Sequence, residues 1–246
     1  MIKFFRRIRQ KLLSENKFSK YLIYAIGEIV LVVIGILIAF SISSWNEKRL
    51  EANQEKITLS NLNGEFQDNL RDLDSINAKL SNTIANMEHL FAMFNKKESQ
   101  YDSSTLDSII SKILTSPTWK PSEFVLNDLK NSGGLSKLRN KELKKLLFQW
   151  TRYYNEMKEM AIQTEKTSID IVEFLKIHGS LRNVDTSTPN FRYERSKLNI
   201  DNLSLLQNPQ FENYIDDKLF VLHQTNNMSV KAKQLINQIL KETAVE

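Results

Sequence analysis

The chain contains no cysteine in 246 residues. That excludes disulfides and thiolate metal sites, so any folded domain must be held by packing alone. Glycine and proline are scarce, six and four in number, and most fall at the ends of segments. No glycine-rich phosphate loop is present. No run alternates apolar and polar residues as a half-buried strand does. The three histidines, His89, His178 and His223, are dispersed, and none is joined by an acid at metal-ligand spacing. No serine sits in a nucleophile elbow. The sequence therefore predicts no catalytic, cofactor or metal site, and no enzyme.

The long domain also lacks net charge. The whole chain is +5, with 34 basic and 29 acidic residues. Residues 46–246 hold 27 of each, so the excess lies in the first twenty residues. There Lys3, Arg6, Arg7, Arg9, Lys11, Lys17 and Lys20 face one acid, Glu15. A basic tail beside a neutral domain argues against nucleic acid as a partner. It is predicted to mark topology, with Arg6, Arg7, Arg9 and Lys11 meeting anionic lipid headgroups. Ile2, Phe5, Ile8 and Leu12 would let the same segment lie on the bilayer as an amphipathic helix.

After the tail comes an apolar run from Tyr21 to about Ser44, ending at Trp45. At ~1.5 Å per residue it is long enough for a ~30 Å hydrocarbon core. Its single ionisable residue is Glu28. Basic residues stay on the cytoplasmic side, which places the N-terminus inside and the long domain outside. A cleaved signal peptide competes, with Ala39-Phe40-Ser41 as a cleavage site. Such a peptide has an apolar core of only ~7–15 residues, so the spacing favours an uncleaved anchor. Three regions result: 1–20 basic, 21–45 transmembrane, and 46–246 extracytoplasmic.

The outer region is predicted to be all-α, an antiparallel bundle of long helices behind a single N-terminal transmembrane helix. Apolar residues recur at helical spacing from Leu62 through Phe66, Leu73, Leu80, Met87 and Phe91 to Phe94. Asn63-Gly64 is a turn signal inside that stripe. Short helices are expected near Thr105–Thr115 and from Ser122 to Lys130, stopped by Gly133-Gly134. Two prolines, Pro117 and Pro121, force an extended stretch between them. Asn140 opens a helix to His178 with Leu143, Leu146, Trp150, Tyr153, Met157, Thr164 and Leu175 on one face. Residues 180–202 read as a long connection. Asn208-Pro209 starts the last helix, with Phe211, Ile215, Leu219, Leu222, Ala232, Ile236 and Ile239 facing inward.

The opening Met1-Ile2-Lys3-Phe4-Phe5-Arg6-Arg7-Ile8-Arg9 carries a resemblance. So do Tyr24-Ala25-Ile26-Gly27-Glu28-Ile29, Ile34-Gly35-Ile36-Leu37-Ile38-Ala39 and Trp45-Asn46-Glu47. Asn127 to Leu135 and Leu205 to Asn213 add weaker matches. Together they resemble an abundant family of uncharacterised single-pass membrane proteins of Bacteroidota, defined as a domain of unknown function. The resemblance implies an inner-membrane, periplasm-facing protein. It implies no activity and no site residues.

Three features remain as candidates. Glu28 lies within the apolar run, where an ionisable group is costly. It serves as a headgroup contact, a helix–helix contact or a proton relay. Gly27, Gly35, Ala39 and Ser43 keep small side chains near one helix face, which permits close approach of a second helix. Trp119, between two prolines, is either a partner-binding aromatic or a plug on the end of the bundle. The function expected is a membrane-anchored interaction or scaffold module. Its partners are the bilayer, a second copy and an envelope protein. The alternative is an accessory subunit of an ion-coupled or signalling membrane complex that uses Glu28.

Overall fold

The computed structural model describes residues 18–96, 101–188, 192 and 194–244. The predicted lipid contacts Arg6, Arg7, Arg9 and Lys11 lie outside the described residues. Every regular element among those described is helical. Helix α1 is Phe18–Phe91. It starts before the expected Tyr21 and continues through Asn63-Gly64 without a break. A Cβ on Gly64 would meet nothing within 4 Å. Packing makes no demand for glycine there, and buried Leu62 and Phe66 hold the helix on either side.

The chain divides into two units, 1–57 and 58–246. In the first, α1 carries the apolar run. Leu22, Ile29, Leu31, Ile36, Phe40 and Ile42 are all exposed. This helix is long and apolar enough to cross a membrane. The Arg49 guanidinium lies 5.9 Å from the Trp45 ring centre.

Among the described residues, the second unit adds six helices and one 3₁₀ turn. Helix α2 is Ser103–Ile113, α3 Phe124–Asn131, α4 Gly134–Lys137 and α5 Lys141–His178. Helix α6 is Leu181–Thr186, the 3₁₀ turn is Asn202–Gln207, and α7 is Pro209–Thr243. Helix α2 begins two residues earlier than expected, after Asp102. The stretch read as a plain connection, 180–202, holds α6, started by Ser180, and ends where Asp201 starts the 3₁₀ turn. The expected caps of the long helices form. Asn140 accepts the Leu143 N–H at 3.0 Å, and Asn208 accepts the Gln210 N–H at 2.8 Å. Gly133 has φ +71°, the left-handed conformation that separates α3 from α4.

The core falls into two apolar clusters. One joins α1 from Leu80 to Leu90, and Met93 just beyond it, with α2, Ile171 to Leu175, Val184 and Phe211 to Leu222. The other joins Leu62 to Leu73 with α3, α4, Leu143 to Tyr154 and Ala232 to Ile239. Within α1 the buried stripe ends differently from the expectation. Phe91 is 37% exposed, and Leu90 and Met93 take the interior. Residue pairs give the helix directions. Tyr153 donates to the Met228 carbonyl at 2.9 Å, and Lys218 reaches Ser168, so numbers fall along α7 as they rise along α5. The same holds for α1 and α7, where Asn63 meets Thr243 and Lys233 meets Asp74. Phe66 packs edge-on against Trp150 at 5.4 Å in the second cluster.

Candidate functional site

Among the described residues of the second unit, three acidic or basic side chains are buried, and they are satisfied very differently. Glu65 on α1 is 8% exposed. Its carboxylate accepts the Ser122 hydroxyl at 2.7 Å and the Val125 and Leu126 N–H groups at 3.0 and 3.1 Å. An anion at a helix start meets free N–H groups and a favourable dipole. Asn69, one turn on, exchanges two hydrogen bonds with the Ser122 backbone, at 2.7 and 2.9 Å. Helix α3 is thus capped from α1. The expected cap, Ser122, accepts only the Phe124 N–H, at 3.3 Å.

Asp107 on α2 is fully buried. It pairs with Arg195 and accepts from the Asn202 amide at 2.6 Å. Asn202 also closes on Ser180, with its Oδ1 2.7 Å from the Ser180 N. A Cβ on Gly179 would lie 2.6 Å from that same Oδ1. Glycine is needed at 179 for this close approach, besides ending α5.

Lys218 on α7 is the third, also fully buried. Its Nζ lies 2.5 Å from the Ser168 Oγ and 3.5 Å from the Ser116 Oγ. No carboxylate among the described residues pairs with it. Burial alone pushes its pKa down to about 7, because desolvation penalises the ammonium and nothing negative offsets this. The two serine hydroxyls are 2.6 Å apart. Thr164 and Thr225 add a further hydroxyl pair at 3.1 Å. Thr164, Ser168 and Thr225 lie where α5 and α7 pass between the two apolar clusters, and the Lys218 side chain reaches Ser168 from within the first, forming a polar waist in the bundle.

The waist opens into a cleft of about 960 Å³. Ser116, Ser168, Thr164 and Thr225 line it, with Lys218 behind the serines. Ile76, Leu80, Met157, Ile162 and Ile169 supply apolar walls. Lys120, Lys158, Glu165 and Glu173 also line it, and the Lys158 ammonium sits 4.8 Å from the Tyr154 ring centre. Clefts of ~300–1,000 Å³ with apolar walls and a few polar groups are the usual form of a small-molecule site.

The candidate residues from the sequence lie in different places. Trp119 is half-buried, 5.8 Å from Trp150 and 6.4 Å from Tyr154, and it lines the cleft. Its Nε1 is buried without a hydrogen-bond partner. Gly27, Gly35, Ala39 and Ser43 are exposed on α1, and a Cβ on either glycine would meet nothing within 4 Å. Glu28 is half-buried on the same helix. Neither Lys218 nor its serines stand out in the sequence. One signal does exist: residue 218 falls three after Ile215 and four before Leu222, in the buried register. Among the described residues no group of three or more His, Cys, Asp or Glu is arranged to hold a metal.

No curated protein and no solved structure matches this chain. A family model does match, over residues 28–166, from within the apolar run to the middle of α5. It includes Glu65, Ser116 and Trp119 and stops before Ser168 and Lys218. That match spans more than half of the sequence, and the chain belongs to the family of unknown function DUF6090.

Proposed function

We propose that this protein is a membrane-anchored binding module. In this reading α1 crosses the inner membrane through residues 21–45, the basic segment stays in the cytoplasm, and residues 46–246 form a periplasmic helical bundle in which α7 runs antiparallel to α1 and α5. The anchor is supported by the exposed apolar side chains of α1, which only lipid would cover. The orientation is supported by the seven basic residues before Tyr21. The observation that carries the binding role is the cleft at the polar waist. A scaffold alone has no need of a buried lysine, behind an open wall, that has no carboxylate partner among the described residues.

Self-association through Gly27, Gly35, Ala39 and Ser43 belongs to the same reading. Small side chains let backbones approach, and packing is the main attraction between helices in lipid. Single cysteines placed along residues 27–43 of this cysteine-free chain test it. Disulfide trapping is expected to follow a helical period and to weaken in Gly35→Ile. Flat trapping, or none, reduces α1 to an anchor. The half-buried Glu28 supports a second reading, an accessory subunit of an ion-coupled or signalling complex. Loss of phenotype in Glu28→Gln with normal membrane insertion would favour it. For the main reading, a periplasm-dependent reporter fused after Glu246 is expected to be active. Ile162→Glu, in the cleft wall, is expected to end ligand capture without unfolding the bundle. An inactive reporter would reverse the topology.

A further inference from the structure

Lys218 sets the chemistry of what the cleft takes. We propose that the cleft binds an amphiphile with one anionic oxygen head group and an apolar chain, its head seated on the Ser116 and Ser168 hydroxyls in front of Lys218. This rests on the cleft being the binding site of the module.

The hydrogen-bond inventory leads to the head group. Lys218 is fully buried and has three N–H donors, with two serine oxygens to receive them. Each serine that accepts from the ammonium has its own hydrogen to give elsewhere. Besides each other, both serines reach only the Thr164 carbonyl, at 3.4 Å. The short bond between the serines uses one of their two hydroxyl hydrogens. The other has only the long contact to the Thr164 carbonyl and is available to turn toward the cleft. An anionic oxygen there would take the free O–H bond and feel the ammonium behind it. Charge-assisted bonds of this kind are the strong ones. The same oxygen would supply the negative charge that the buried lysine lacks, and would favour its protonated form.

The walls lead to the chain. A small inorganic anion would leave Ile76, Met157, Ile162 and Ile169 against water. A neutral lipid would leave Lys218 without a counter-charge. The cleft volume, about 960 Å³, is several times what a head group alone fills. One molecule with both parts satisfies both surfaces. Carboxylate and phosphate monoester heads share the required chemistry.

The test uses full-length protein held in amphipol and a dansyl-labelled undecanoate as fluorescent probe. Laurate, dodecyl phosphate, dodecanol and acetate compete for it. One of the two anionic chains is expected to displace the probe at about tenfold lower concentration than dodecanol, and acetate not at all. Whichever head competes better identifies its source. Lys218→Met is expected to erase that preference while dodecanol competes as before. Ser116→Ala with Ser168→Ala, which keeps the lysine, is expected to reduce it severalfold. Circular dichroism confirms that each variant folds. Equal competition by both anionic chains and dodecanol overturns the head-group assignment. So does an undiminished preference in Lys218→Met. Ile162→Glu separates the two levels. If it abolishes capture of every chain while charge makes no difference, only the head-group inference falls. If nothing binds the wild type, or Ile162→Glu changes nothing, the cleft is not the site and both fall.

Discussion

The clamp around Glu65 and the waist around Lys218 both bury a charge without a salt bridge among the described residues, and they end in opposite states. Glu65 is closed off: a hydroxyl and two backbone N–H groups fill its carboxylate. Lys218 has two hydroxyl oxygens, one of them at 3.5 Å, beside a cleft. A buried charge whose partners are all present stabilises the fold around it. A buried charge with partners missing destabilises it, and its persistence calls for something outside the chain. In the proposed reading, that difference separates a structural site from a binding site.

Removing each charge is the most direct way to break that comparison. Glu65→Ala uncaps α3 and strands the Ser122 hydroxyl. It is expected to cost roughly 3 kcal/mol, read as a lowered denaturation midpoint of the full-length protein. A loss under ~1 kcal/mol would mean that water replaces the carboxylate and that the clamp is not structural.

Titration should give the next effect. Lys218 has its pKa depressed from 10.5 to about 7 in the folded protein. Between those values the unfolded chain binds more protons than the folded one, so stability is expected to rise with pH across this window. Below about pH 7 both states are protonated and the cost of the buried ammonium is fully present. Denaturation midpoints at about pH 6.5 and 9.5 should therefore diverge in the wild type and less so in Lys218→Met. Glu165, Lys120, Lys158 and Lys176, which line the same cleft, are common to both proteins and cancel in the comparison.

At neutral pH Lys218→Met should be neutral or stabilising by up to ~1 kcal/mol, the opposite sign from Glu65→Ala. A loss above ~2 kcal/mol would make the lysine a structural member of the waist. The smallest effect should come from Asp74→Ala. Its ion pair with Lys233, at 2.6 Å, is about half exposed on both sides, and such pairs contribute under ~1 kcal/mol. A larger loss would show that exposure is a poor guide to the value of charges here.

The stripes of the long helices are legible along the chain because burial repeats with the helical period. Leu143, Leu146, Trp150 and Tyr153 on α5 are all buried, as are Phe211, Ile215 and Leu222 on α7. Asn140 and Asn208 act as caps because a cap needs only its own next two or three residues. Periodicity misleads where two positions compete for one turn. Leu219 reads as the inward residue of its turn, yet it is half-buried and Lys218 is the one enclosed. An apolar-only stripe passes over a lysine in the buried register. Phe91 likewise yields to Leu90, because the aromatic ring is not the side chain nearest the cluster.

Local order along the chain is enough for the apolar run with its basic flank, the helical class, the caps and most of the buried stripes. All of these depend on residues within a turn or two of each other. How the buried charges are met is set only in the folded bundle. Glu65 caps a helix that begins about 60 residues later, Asn202 reaches back 95 residues to Asp107, and Lys218 meets serines 50 and 102 positions away. Hydrogen bonds are satisfied in space, and no local pattern records which distant partner will arrive, or which will be missing.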